Sequence, residues 1–89
     1  MPNVHVPGAL RTLTGGAADV AVAAVTVRDA IAALDRLHPG IAARVLDGAG
    51  ALRPFIRVFV AGDDAGLDTA VGERDEIAIV PAIAGGRDA

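Results

Sequence analysis

The sequence predicts an α+β domain in which a mixed sheet is covered on one face by a helix. Three observations carry that expectation: two short alternating segments near the start, an amphipathic stretch from Thr26 to Leu37, and two β-branched runs, Phe55–Val60 and Glu76–Val80. Strands, then a helix, then further strands is the order of a sheet with its helix segregated to one side. At 89 residues the chain is one small domain with a single modest core.

Val4-His5-Val6 alternates apolar and polar side chains and stops at Pro7-Gly8, which marks a first strand ending in a turn. Leu10 to Gly16 reads as loop. Val20-Ala21-Val22-Ala23 alternates again, so the first two strands are expected to form a hairpin with a long connection. Thr26 occupies the position of a helix N-cap, with Asp29 three residues on as an acidic partner for the helix dipole. Val27, Ala30, Ile31, Leu34 and Leu37 follow at helical spacing, and Arg28, Asp29, Asp35 and Arg36 fall mostly on the opposite face. His38-Pro39-Gly40 ends the helix, because proline is disfavoured inside one and glycine suits the exit.

Ile41 to Leu46 reads as a short second helix, followed by a flexible Asp47-Gly48-Ala49-Gly50. Phe55-Ile56-Arg57-Val58-Phe59-Val60 is the strongest strand signal in the chain. Alternation places Ile56, Val58 and Val60 toward the core and Phe55, Arg57 and Phe59 on the other face. Two aromatics around an arginine are either covered by a loop or serve as a docking patch. Gly62-Asp63-Asp64 reads as a turn, Leu67 to Val71 as a short extended piece, and Gly72-Glu73-Arg74-Asp75 as a turn before the last strand.

Composition removes several function classes. The formal charge of −3, with arginines scattered singly, argues against a nucleic-acid binder. No apolar run approaches the roughly 20 residues needed to span a bilayer, so a soluble cytoplasmic protein with no membrane partner is expected. The chain has no Cys, Ser, Lys or Tyr, the usual side chains for covalent catalysis, and no CxxC zinc site. His5 and His38 are the two imidazoles, and neither has a partner at metal-ligand spacing along the sequence. Asp63-Asp64 reads as a turn rather than a metal site, and no resident metal or bound cofactor is expected.

The signal with chemical content lies at the end, where Glu76-Ile77-Ala78-Ile79-Val80 leads through Pro81-Ala82-Ile83-Ala84 to Gly85-Gly86 and then Arg87-Asp88-Ala89. Two consecutive glycines let a backbone thread a narrow channel and turn freely. That arrangement points to a backbone carboxylate as the working group. The domain is assigned to residues 1–84 and the flexible diglycine tail with its three-residue extension to residues 85–89.

With the acidic turn, final strand, proline and diglycine in view, the chain resembles the ubiquitin-like sulfur carriers of the MoaD/ThiS type. Leu10-Arg11, Thr14-Gly15-Gly16 and the closing Pro-Ala-Ile-Ala-Gly-Gly pattern are most similar to the CysO type. The resemblance implies a β-grasp fold, a mixed four- to five-stranded sheet packed on one main helix. It also implies a protein that is a substrate rather than an enzyme. An E1-like enzyme using ATP and magnesium would adenylate the carboxylate of Gly86, and a sulfur donor would convert it to a thiocarboxylate. Gly85 and Ala84 would thread the activating enzyme's channel, while Phe55, Arg57, Phe59 and Glu76 would contribute to docking. The CysO type implies a pyridoxal-phosphate (PLP)-dependent cysteine synthase as sulfur acceptor, with molybdopterin, thiamine or a sulfur-containing natural product as other pathways.

One departure from the family pattern matters. The Gly86 carbonyl is joined to Arg87 by a peptide bond and cannot be adenylated as it stands. Carriage therefore requires cleavage between Gly86 and Arg87, a step for which the resemblance suggests a JAMM-type zinc metalloprotease. Two other functions fit the same residues: a protein modifier linked through Gly86 to lysines of targets, and a non-covalent binding module whose tail is inert.

Overall fold

The computed structural model describes residues 1–81. Those residues form strands β1 (Asn3–His5) and β2 (Asp19–Ala21), helices α1 (Val27–Leu37) and α2 (Ile41–Val45), and strands β3 (Ile56–Val60), β4 (Asp63–Ala65) and β5 (Glu76–Pro81). The sheet has five strands in the order β2-β1-β5-β3-β4, with β1 and β5 parallel and every other pair antiparallel. A mixed sheet and one main helix are what the sequence predicted. No helix is long and apolar enough to cross a membrane among the described residues.

Alternation decides which side chains enter the core. Val4 pairs with Ile77, and Val60 and Val58 pair with Ile77 and Ile79, so the inward positions of β1, β5 and β3 fall in one layer. Each of these residues is at most 7% exposed. Against this layer α1 packs Val27, Ala30, Ile31 and Leu34, and α2 packs Ile41 and Val45. Both helices therefore cover one face of the sheet. Leu37, expected on the buried stripe, is 59% exposed, whereas Ala33 is buried. The stripe ends early because the chain turns away at His38, whose backbone N–H closes the helix on the Leu34 carbonyl.

The helix ends are satisfied by the rest of the chain. The Asp29 N–H donates to the Thr26 hydroxyl at 3.1 Å, the N-cap expected from the sequence. The first N–H groups of α1 donate to the Leu67 and Thr69 carbonyls at 2.8 and 3.0 Å. Leu67 to Val71 thus crosses the start of α1 instead of extending the sheet, touching strand geometry only at a bridge between Thr26 and Ala70. For α2 the cap comes from α1: the Asp35 carboxylate accepts from the Gly40 and Ala42 N–H groups, both at 3.0 Å. Gly40, with φ 111°, makes the sharp turn between the helices in a conformation that other residues rarely adopt.

Three local expectations are corrected. Residues Gly8–Thr14 form a 3-10 helix rather than a loop, fixed by the buried Thr14 hydroxyl 2.8 Å from the Ala17 carbonyl. Asp47 to Gly50, read as flexible, is a hydrogen-bonded loop in which the Asp47 carboxylate accepts from Ala49 and Ala51. The turn after β3 is Ala61-Gly62, both at positive φ, which is the geometry of a two-residue hairpin. Asp63 and Asp64 consequently enter β4 opposite Val60 and Phe59.

Truncating Leu34, fully buried under the sheet, to alanine should cost about 3 kcal/mol of unfolding free energy. Leu37→Ala, on the same helix but exposed, should change it by less than about 0.5 kcal/mol. Urea denaturation of both variants checks the difference, and equal losses would mean that α1 sits in another rotation.

Candidate functional site

The site is organised by β5, which lies at the centre of the sheet. Its residues are held on one side by the parallel ladder to β1 and on the other by five antiparallel pairs with β3, from Val60–Ile77 to Ile56–Pro81. Pro81, opposite Ile56, is the last described residue of β5 and has no N–H to donate to the ladder. The segment that carries the diglycine therefore departs from the most tightly held strand of the domain. Ala84, Gly85, Gly86 and Arg87 lie outside the described residues.

The face of the sheet away from the helices is the second part of the site. Register places Asn3 and His5 of β1, Glu76, Ala78 and Val80 of β5, and Arg57 and Phe59 of β3 together on it. Phe59 is half-buried, whereas Arg57 and Glu76 are exposed. Val80 is 40% exposed. Arg57 is ion-paired with Asp64 of the neighbouring strand, which holds its guanidinium over the sheet edge. Beside Phe59 a shallow depression is bordered by His5, Ala61, Gly62, Glu76 and Ala78.

Phe55 does not join this patch. It precedes β3, is 48% exposed, and borders a separate depression with Ala9, Arg44, Arg53 and Pro81. Arg53 is anchored there, its Nε and Nη2 donating to the Ala43 carbonyl at 3.1 and 2.9 Å. The four residues expected at a docking surface are thus split: Arg57, Phe59 and Glu76 on the open sheet face, and Phe55 where β5 ends.

The structure also assembles a group that sequence spacing did not reveal. His5, Asp19 and Glu76 stand on three adjacent strands, and each offers a ligand atom within 4.8 Å of the other two. The His5 Nδ1 is 3.2 Å from the Asp19 carboxylate. The Asn3 amide donates to Asp19 at 3.0 Å and to Glu76 at 3.4 Å. Asn3 first, and then His5, hold the Asp19 carboxyl below its ordinary carboxylate value by hydrogen bonding to its charged form. The signal that could have found this group was the cross-strand register, which needs β1 placed between β2 and β5.

A family model described as the ThiS family matches residues 4–86. The sulfur carrier protein CysO of Mycobacterium tuberculosis (strain ATCC 25618 / H37Rv) is 35% identical, the alignment covering 94% of this chain and 97% of that protein. A chain of the Amycolatopsis orientalis BexX/CysO complex superposes with a TM-score of 0.90 at 37% identity, covering 97% of this chain and 100% of that one. The small archaeal modifier protein SAMP1 from Haloferax volcanii does so with a TM-score of 0.84 at 32% identity, covering 96% and 98%.

Both side chains of the Arg57–Asp64 pair are more than half exposed, so water screens their attraction. A double-mutant cycle of Arg57→Ala and Asp64→Ala, read by urea denaturation, should give a coupling of about 0.5 kcal/mol. A coupling above about 2 kcal/mol would show that the pair is a structural clamp instead.

Proposed function

This chain belongs to the ThiS family of ubiquitin-like sulfur carriers, and from that premise we propose that it carries sulfur on Gly86 after removal of Arg87-Asp88-Ala89. The observation that supports this most directly is where the family match stops, at the second glycine, on a segment that follows the central strand β5. Cleavage of the Gly86–Arg87 bond by a JAMM-type metalloprotease frees a backbone carboxylate. An E1-like enzyme then adenylates it: a carboxylate oxygen attacks the α-phosphorus of magnesium-bound ATP, and pyrophosphate leaves. A hydrosulfide-level donor attacks the carbonyl carbon, AMP leaves, and Gly86 ends in a thiocarboxylate.

None of these steps asks a side chain of this protein for an acid, a base or a nucleophile. That fits a chain with no Cys, Ser, Lys or Tyr. The protein's part is to be held and to present its end. Arg57, Phe59 and Glu76 on the open sheet face, and Phe55 beside the end of β5, supply the surfaces that a partner grips. Ala84 and Gly85 are small enough to pass through a narrow channel. Similarity to CysO favours a PLP-dependent cysteine synthase as acceptor. There an activated amino-acid intermediate takes the thiocarboxylate sulfur, an acyl shift leaves cysteine amide-linked to Gly86, and the metalloprotease releases it.

Intact mass spectrometry of the protein from its native host should find a form ending at Gly86 with one carboxylate oxygen replaced by sulfur. An exclusively full-length population under conditions where the pathway runs would rule out carriage. Charge reversal by Glu76→Arg should slow adenylation more at low salt than at high, because rim charges act mainly on encounter. Equal slowing at both salts would remove Glu76 from the docking surface.

The likeness to a modifier protein, SAMP1, favours a second reading in which Gly86 forms amide bonds to lysines of other proteins. Adducts of higher mass on a denaturing gel, absent when residues 85–89 are deleted, distinguish it from small-molecule sulfur transfer.

A further inference from the structure

We propose that His5, Asp19 and Glu76 form a binding site for a borderline divalent cation such as Zn²⁺ on the open face of the sheet. The three donors come from β1, β2 and β5, which are adjacent in the ladder order, and their ligand atoms lie within 4.8 Å of one another. Donor atoms around a cation bound at about 2.1 Å are roughly 3–4 Å apart. The 3.2 Å between His5 Nδ1 and Asp19, a hydrogen bond without the cation, is already this spacing. The cation takes the place of the bridging proton, which is released to solvent, and side-chain rotation of the exposed Glu76 brings in the third donor. Strand positions are fixed by backbone hydrogen bonds, so little ordering is needed when a cation arrives.

The charge balance points the same way. Among the described residues neither Asp19 nor Glu76 is ion-paired with an arginine, although Arg11 is near enough to act weakly on Asp19. The two carboxylates are instead tied together by the single Asn3 amide, which donates to both. With a cation present that amide keeps a role, holding the ligands in position from behind. One imidazole nitrogen and two carboxylates, with no thiolate, suit Zn²⁺, Mn²⁺, Co²⁺ or Ni²⁺ better than Mg²⁺ or Ca²⁺. Three protein donors leave at least one coordination position to water.

The site requires a folded sheet, so a cation that binds it stabilises the native state. Titrating the full chain with ZnCl2 by calorimetry should give one site, and a hundredfold excess over Kd should raise Tm by roughly 15 °C. His5→Gln, Asp19→Asn and Glu76→Gln should each weaken binding at least about tenfold, Asn3→Ala about tenfold, and His38→Gln not at all. All five positions are solvent-accessible, so each variant should fold, which its circular dichroism spectrum checks. Mn²⁺ should broaden amide signals around residues 3–5, 19–21 and 76–78. The proposal is overturned if Zn²⁺ does not bind below 1 mM, as an upper limit of roughly −4 kcal/mol in affinity. It is equally overturned if His5→Gln binds as well as the parent, if broadening centres on Asp63-Asp64 or Asp47, or if millimolar Mg²⁺ displaces the metal.

Discussion

Everything in this domain hangs on β5 lying between β1 and β3. A parallel neighbour on one side and an antiparallel neighbour on the other give the strand hydrogen bonds along both edges, and its inward residues Ile77 and Ile79 are 1% and 2% exposed. Local opening is hardest where backbone bonds are doubled and the side chains are buried. The parallel pairing also joins Asn3–His5, near the start of the chain, to Glu76–Ala78, so closing the sheet costs the loop entropy of all the residues between them. A chain of this size with only two aromatic residues needs that economy. Its core is built from Val, Ile, Leu and Ala, and close packing of branched side chains between one sheet face and two helices replaces large rings.

The polar groups at the joints do a comparable job. Asp35 is a residue of α1 whose carboxylate accepts N–H groups at the start of α2, so one side chain ties the two helices together. The Leu67 and Thr69 carbonyls satisfy the start of α1, and Arg28 reaches Asp68 on the same segment. Arg53 binds the last turn of α2 through Ala43, where a cation also meets the negative end of the helix. These contacts tie irregular segments to the helices.

Much of this was legible in the sequence because it is local. Thr26 with Asp29, the periodicity of Val27 to Leu34, the stop at His38-Pro39-Gly40 and the alternation of Ile56 to Val60 each depend on residues within a turn or two. The rest depends partly on partners distant in the chain and partly on small shifts of local register. Leu67 to Val71 has the composition of a strand, but its carbonyls are taken by α1, and nothing near it in sequence announces that. Asp63 and Asp64 have turn composition, yet positive φ at Ala61 and Gly62 completes the turn two residues earlier and pushes both aspartates into β4. His5, Asp19 and Glu76 could not be grouped because their proximity follows from strand order, which a single sequence does not state. Phe55 and Phe59 differ for a simpler reason: alternation assigns both to one face, but the strand begins only at Ile56.

That separation of the two aromatics bears on how one small domain serves several partners. The depression bordered by Phe55 and Pro81 lies where β5 ends, and the one bordered by Phe59 and Glu76 lies at the other end of the same strand, because Ile56 pairs with Pro81 while Val60 pairs with Ile77. Under the proposed function an activating enzyme, a protease and an acceptor must each reach Gly86, and each must also recognise the body that carries it. A grip on the Phe59 end leaves the exit of β5 open, whereas a grip on the Phe55 end encloses it. Their charges differ as well, with Arg44 and Arg53 beside Phe55, and Glu76 beside Phe59. Under the proposed function, partners that thread the tail and partners that only hold the sheet would meet surfaces of opposite sign, a difference that would sort them without any change in the fold.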